Sequence, residues 1–215
     1  MEVVINLILT LCTGFALIYG LLHRSRAIYV QLLASGAGVM MLGSLFQMLC
    51  TLTGIDISGR FHVGYFSMVG TFMFFFSANY GQMDSLIDLP KEKAGKYSLL
   101  SFAAVIPVLL LYIAVLLSEC TMAYKISALF PVVFIALSEY YSFKLLICPD
   151  VEGGVIRSIR PSNALLCIFG LGCSLHLAGG AYQSLAISGT GRLVMAAVAA
   201  ALIPVLLGGV RKWTT

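Results

Sequence analysis

Charge is scarce in this 215-residue sequence. The 13 basic and 9 acidic side chains make up 10% of it, against roughly 25% in typical globular proteins. Hydrophobic residues fill 60%, and the mean hydropathy is +1.00. So few charges cannot cover a water-facing surface around this much apolar sequence. A soluble enzyme, a disordered chain, a fibre and a secreted disulfide scaffold are thereby excluded, leaving an integral membrane protein.

Catalytic and cofactor signatures are equally absent. The sequence has no glycine-rich phosphate loop and no Gly-x-Ser-x-Gly elbow. The six cysteines lack close-paired metal spacing. His23, His62 and His176 fall at the inner edge, the outer edge and mid-membrane, too far apart in depth to share a metal. A retinal pigment needs a lysine in its last helix, and residues 193–210 contain none. Haem ligands paired at one depth are also missing. The expectation is a non-enzymatic protein without metal or cofactor.

Long apolar runs are plentiful. A membrane helix needs about 20 mostly apolar residues, and seven stretches qualify: 3–22, 29–53, 61–83, 98–117, 125–147, 163–186 and 193–210. Lipid offers the backbone no hydrogen bonds, so such runs are helices, and they do not alternate as barrel strands do. The predicted fold is an all-α integral membrane protein, one seven-transmembrane-helix domain over residues 1–215. Short polar segments separate the spans, among them 84–96, 149–161 and Ser188-Gly189-Thr190-Gly191.

An outside N-terminus and a cytoplasmic C-terminus follow from the basic residues. This orientation puts Arg24, Arg26, Lys91, Lys93, Lys96, Lys144, Arg157, Arg160, Arg211 and Lys212 inside. Only Arg60, Lys125 and Arg192 are left outside. The net charge of +4 is then a topology signal, and no nucleic-acid partner is expected. The start Met1-Glu2-Val3 has no basic n-region, so the first span is expected to be retained.

Cys12, Cys167 and Cys173 lie inside spans as small apolar fillers, and Cys148 falls on the reducing side. Cys50 and Cys120 both reach the outer surface, where they form either an external disulfide or two free thiols.

Ionisable residues within spans suggest functional sites. Glu139 lies slightly to the inner side of the fifth span and His176 slightly to the outer side of the sixth. Their depths differ by roughly 9 Å at the helical rise. Around Glu139, Tyr140, Tyr141 and Ser142 follow, while the third span offers Ser77, Asn79 and Tyr80. This reads either as a polar pocket holding a proton or cation, or as a protonated acid bonded to a neighbouring helix.

Gly172, His176, Gly179, Gly180 and Gln183 share one helical face, and the second span has a similar one in Gly36, Met40, Gly43 and Gln47. An offset of 136 aligns Gly36 with Gly172, Gly43 with Gly179 and Gln47 with Gln183, while Gly59-Arg60 echoes Gly191-Arg192. Two readings remain open. One is a three-plus-one-plus-three pseudo-repeat with a ligand site at its interface; the other is ordinary close packing through small residues. The aromatic stretch Tyr65, Phe66, Phe72, Phe74, Phe75 and Phe76 reads as packing. Pro107, Pro131 and Pro204 are expected to kink their helices.

The turn His23-Arg24-Ser25-Arg26, the segment Ser77-Ala78-Asn79-Tyr80-Gly81-Gln82-Met83-Asp84 and the opening Arg160-Pro161-Ser162-Asn163 carry a resemblance. Together with seven short-looped spans, they resemble the membrane input modules that precede bacterial histidine kinases and diguanylate cyclases. The resemblance implies ligand sensing within the bundle in a bacterial plasma membrane. Those modules are fused to output domains, whereas this sequence ends five residues after its last span, so a separate signalling partner is expected. Homo-oligomers also fit. The expected ligand path runs from outside past Gln47, His62 and Gln183 toward His176, with Gly43, Gly179, Glu139 and Asn79 completing the site. Binding would shift the last three helices and alter the inner face at 84–96 and 151–160.

The arrangement is also similar to sugar transporters of the SWEET type, without their proline–glutamine motif. A third alternative is an accessory subunit of a membrane complex.

Overall fold

The computed structural model describes residues 1–22, 27–55, 57, 60, 62–86, 91–149 and 155–214. Among them every regular element is helical: α1 (Glu2–Leu22), α2 (Ile28–Thr53), α3 (Val63–Leu86), α4 (Lys91–Ser101), α5 (Val105–Leu117), α6 (Met122–Ile147), α7 (Val155–Ala181) and α8 (Leu185–Thr214). A 3₁₀ turn, Phe102–Ala104, joins α4 to α5. It lies just before Pro107, whose ring lacks an N–H and crowds the carbonyl four residues back. That local tightening is the form the expected irregularity takes.

Six helical stretches are long and apolar enough to cross a membrane: Glu2–Leu22, Ile28–Thr53, Gly95–Leu117, Met122–Ile147, Ile156–Ala181 and Leu185–Gly209. The 24-residue α3 is not among them; serines, glycines and Asn79 dilute its aromatic run. Large apolar side chains point outward along the helices, among them Leu11, Leu42, Leu110 and Phe130. Lipid solvates such a surface and water does not.

The helices pack as a ring in the order α1, α2, α3, α6, α7, α8, with α8 returning to α1. Two further contacts cross the ring, α2 with α8 and α3 with α7. Outside it, α5 leans on α6 and α7, and α4 on α6. Small residues set the closest approaches, as expected where packing rather than water exclusion holds helices together. Gly20 lies against Ala34, and Thr10 bonds Ser44 at 2.9 Å, pairing α1 with α2. Gly36 seats Phe75 and the Thr71 carbonyl, while Gly43 seats Ser67, pairing α2 with α3. In α7 and α8, Gly172 meets Gly191, Gly179 meets the Ser188 backbone, and Gly209 meets the Ser158 carbonyl.

Several sequence-derived boundaries move. Ser188-Gly189-Thr190-Gly191 is helical, because α8 begins at Leu185, and only 182–184 separate it from α7. Helix α7 starts at Val155, so Pro161 lies inside it. The backbone is helical through Leu86 and again from Lys91, shortening the expected connector of 84–96. The turn 23–26, Gly59, Phe61, residues 87–90 and residues 150–154 fall outside the described residues.

Candidate functional site

Where α1, α3, α6 and α8 begin and α2 and α7 finish, the ring leaves a cavity of about 440 Å³. That volume is in the range of small-molecule sites. Two helix ends shape its mouth. At the end of α2, Gly54 adopts φ 73° and the Ile55 N–H reaches the Cys50 carbonyl. At the end of α7, Gln183 stands at φ 51°, with Gln183 N–H bonded to Gly180 O and Ser184 N–H to Gly179 O at 2.8 Å. This is the Schellman pattern, which usually places glycine where Gln183 stands. A glutamine there costs about 1 kcal/mol, and its side chain lines the cavity.

Five sequence-predicted residues line this space. His176 Nδ1 lies 2.8 Å from Ser188 Oγ, and its Nε2 lies 3.4 Å from Gln47 Nε2. His62 stacks on Tyr65 at 4.3 Å between ring centroids, and Tyr65 is 5.5 Å from the His176 ring. Gln183 and Gly179 also line the wall. Gly180 leaves room for the hydroxyls of Tyr65 and Tyr124, and the latter donates to Leu177 O at 2.8 Å.

Arg192, Asn6, Glu2 and Ser188 were not predicted. Arg192 is 1% exposed and lines the cavity. Its Nη1 donates to Asn6 Oδ1 at 2.6 Å, and its Nη2 donates to Ser188 Oγ and Glu2 Oε1, both at 3.2 Å. Its Nε has no partner. The sequence reading put Arg192 in an outer loop, echoing Arg60. Instead Arg192 is two turns into α8 and buried, whereas Arg60 precedes α3 and is exposed. The available signal was helical spacing: Ser188, Arg192 and Met195 recur on one face, continuous with the apolar run.

Three other predicted residues lie elsewhere. Gly43 does not line the cavity; it packs on Ser67 and Gly64, so its missing side chain serves helix contact. Glu139 and Asn79 also lie away from the cavity. Glu139 is 2% exposed, lies against Gly170 of α7 and leaves Oε1 unpartnered. One turn on, Ser142 accepts from Asn79 Nδ2 at 2.7 Å, and Tyr29 donates to Asn79 Oδ1 at 2.9 Å. Ser77 and Tyr80, expected beside Glu139, are exposed; the Tyr80 ring packs tilted against Phe76 and edge-on against Tyr141. Between the cavity and this second cluster lie Phe72, Phe75 and Phe169, packed ring to ring at 5.6–6.0 Å.

Cys50 and Cys120 are free thiols, and Cys120 Sγ takes the Ser118 hydroxyl at 3.1 Å. Among the described residues no three His, Cys, Asp or Glu side chains gather as a metal site. No family model matches the chain, and neither a curated protein nor a solved structure does.

Proposed function

We propose that the protein is a sensor or receptor-like membrane protein that binds a small polar solute in this cavity and passes the change to a signalling partner at the opposite face. The supporting observation is the convergence of Gln47, His62, His176, Gln183 and Arg192, from three helices and two connecting segments, on a single half-open cavity. Helix α7 connects the two clusters: His176 meets the cavity, while Gly170 lies against Glu139. A ligand that prefers one seating of α7 therefore biases the second cluster as well. Pro131, Pro161 and Pro204, inside α6, α7 and α8, lack backbone donors and ease such a shift. On this reading α3 is the seventh span, and the cavity opens to the outside.

Two substitutions test the site. His176→Ala is expected to weaken solute-dependent thermal stabilisation at least tenfold in apparent affinity without unfolding the bundle. Gln183→Gly should raise stability by about 1 kcal/mol, by relieving the left-handed turn, yet still weaken binding. Wild-type binding in both variants rejects the assignment.

A transporter is the second reading, and it rests on two observations. The aromatic layer has polar clusters on either side, as alternating access requires. The packing is also compatible with an internal repeat: exchanging α1–α2–α3 for α6–α7–α8 carries each inter-helix contact of the ring onto another. Gly36 and Gly172, then Gly43 and Gly179, each seat the next helix in the chain. Proteoliposomes discriminate. Solute flux that Phe169→Ala accelerates favours transport; binding without flux favours the sensor.

A further inference from the structure

We infer that the solute carries a carboxylate, and that Glu2 is an internal occupant which it displaces from Arg192; this rests on the cavity's being the binding site. The argument is the state of the guanidinium. A buried arginine is expected to spend its donors on well-formed bonds. Arg192 spends Nη1 well, on Asn6 at 2.6 Å. On its other edge the two contacts of Nη2 are both long, at 3.2 Å, and Nε makes none. The Nε–Nη2 edge presents two parallel donors, which a carboxylate matches with its two oxygens. Glu2 supplies one oxygen to one of those donors.

Glu2 is also poorly held. Its side chain is 47% exposed, in the first turn of α1, while that of Arg192 is buried. A displaced Glu2 carboxylate returns to water at little cost, whereas the guanidinium cannot leave its socket. The exchange therefore replaces a single, long contact with a two-pronged one. The rest of the lining fits the remainder of such a molecule: the stacked His62–Tyr65 pair offers an aromatic wall, and Gln47 and Gln183 offer amides. Among the described lining residues Arg192 is the one cation, and with a carboxylate beside it this favours a monoanionic group over a doubly charged phosphate.

Titration of the full-length protein in phosphatidylcholine nanodiscs tests this, with acetate, benzoate and succinate set against acetamide, benzamide and succinamide. At least one carboxylate is expected to bind tenfold or more tightly than its amide. Glu2→Gln should tighten that carboxylate at least fivefold by removing the competitor. Arg192→Lys, which keeps the charge and loses the fork, should weaken it at least tenfold. A merely structural ion pair predicts that Glu2→Gln lowers the melting temperature and leaves affinity unchanged, which overturns the proposal. If the amides bind as well as the carboxylates, the carboxylate inference fails and the cavity reading stands. If neither series binds, both fail.

Discussion

Gly191→Leu is expected to prevent α7 and α8 from closing, with a loss of more than about 3 kcal/mol and a fall in thermal midpoint on the order of 10 °C. A Cβ on Gly191 would come within 2.7 Å of the His176 backbone nitrogen and about as close to the Gly172 carbonyl. Both obstacles are backbone, so no rotamer change relieves them. Helices α7 and α8 and the turn between them carry the cavity's His176, Gln183, Ser188 and Arg192, so separation also dismantles the site. Two neighbouring glycines supply the control. Gly208 faces open space, so Gly208→Ala should be neutral or stabilising by up to about 1 kcal/mol. Gly209 meets the Ser158 carbonyl, so Gly209→Ala should destabilise. Thermal unfolding of the four proteins in one detergent checks the series. Equal midpoints for Gly191→Leu and the parent would show that the α7–α8 crossing is looser than the structure has it.

The same glycines show what the sequence conveyed and what it withheld. Apolar runs of membrane length are legible because lipid forces every spanning backbone into a helix. The all-helical class and most helix positions followed from that alone. Boundaries rich in small polar residues were not legible. Ser188-Gly189-Thr190-Gly191 looks like a loop, but Thr190 returns its hydroxyl to Ala186 O at 2.8 Å and Gly191 is needed for the crossing. Composition reads the same in both cases. Glycine was ambiguous in another way: Gly43 and Gly179 signal close approach equally, but only Gly179 also borders the cavity. Gln47, His62, His176 and Gln183, which line the cavity, were legible because polar side chains stand out against apolar helices. Glu139 and Asn79 stood out for the same reason, but sequence depth did not show that three phenylalanines lie between the two groups.

Arg192 was missed because a cation near a span's end normally faces water. Its burial leads to the second large effect. Arg192→Met is expected to abolish solute binding and to cost about 2 kcal/mol, because Asn6 Oδ1 and Ser188 lose a donor inside the bundle. The cost stays below the 3–5 kcal/mol typical of a fully buried pair, since Glu2 is half-exposed and regains water. Asn6→Leu alone should cost a similar amount by leaving Nη1 of a buried guanidinium without its acceptor. The two losses are not independent. Asn6 is fully buried, its Nδ2 has no partner, and Arg192 is the group its Oδ1 serves. With both side chains apolar, neither is left unsatisfied, so the double variant should recover about 1–2 kcal/mol relative to the sum of the singles. Solute binding should not recover with it, because the guanidinium is still gone. Stability that returns without binding would separate the two roles of Arg192, tying α8 to α1 and meeting the solute. Binding that returned with stability would assign Arg192 to the first role only.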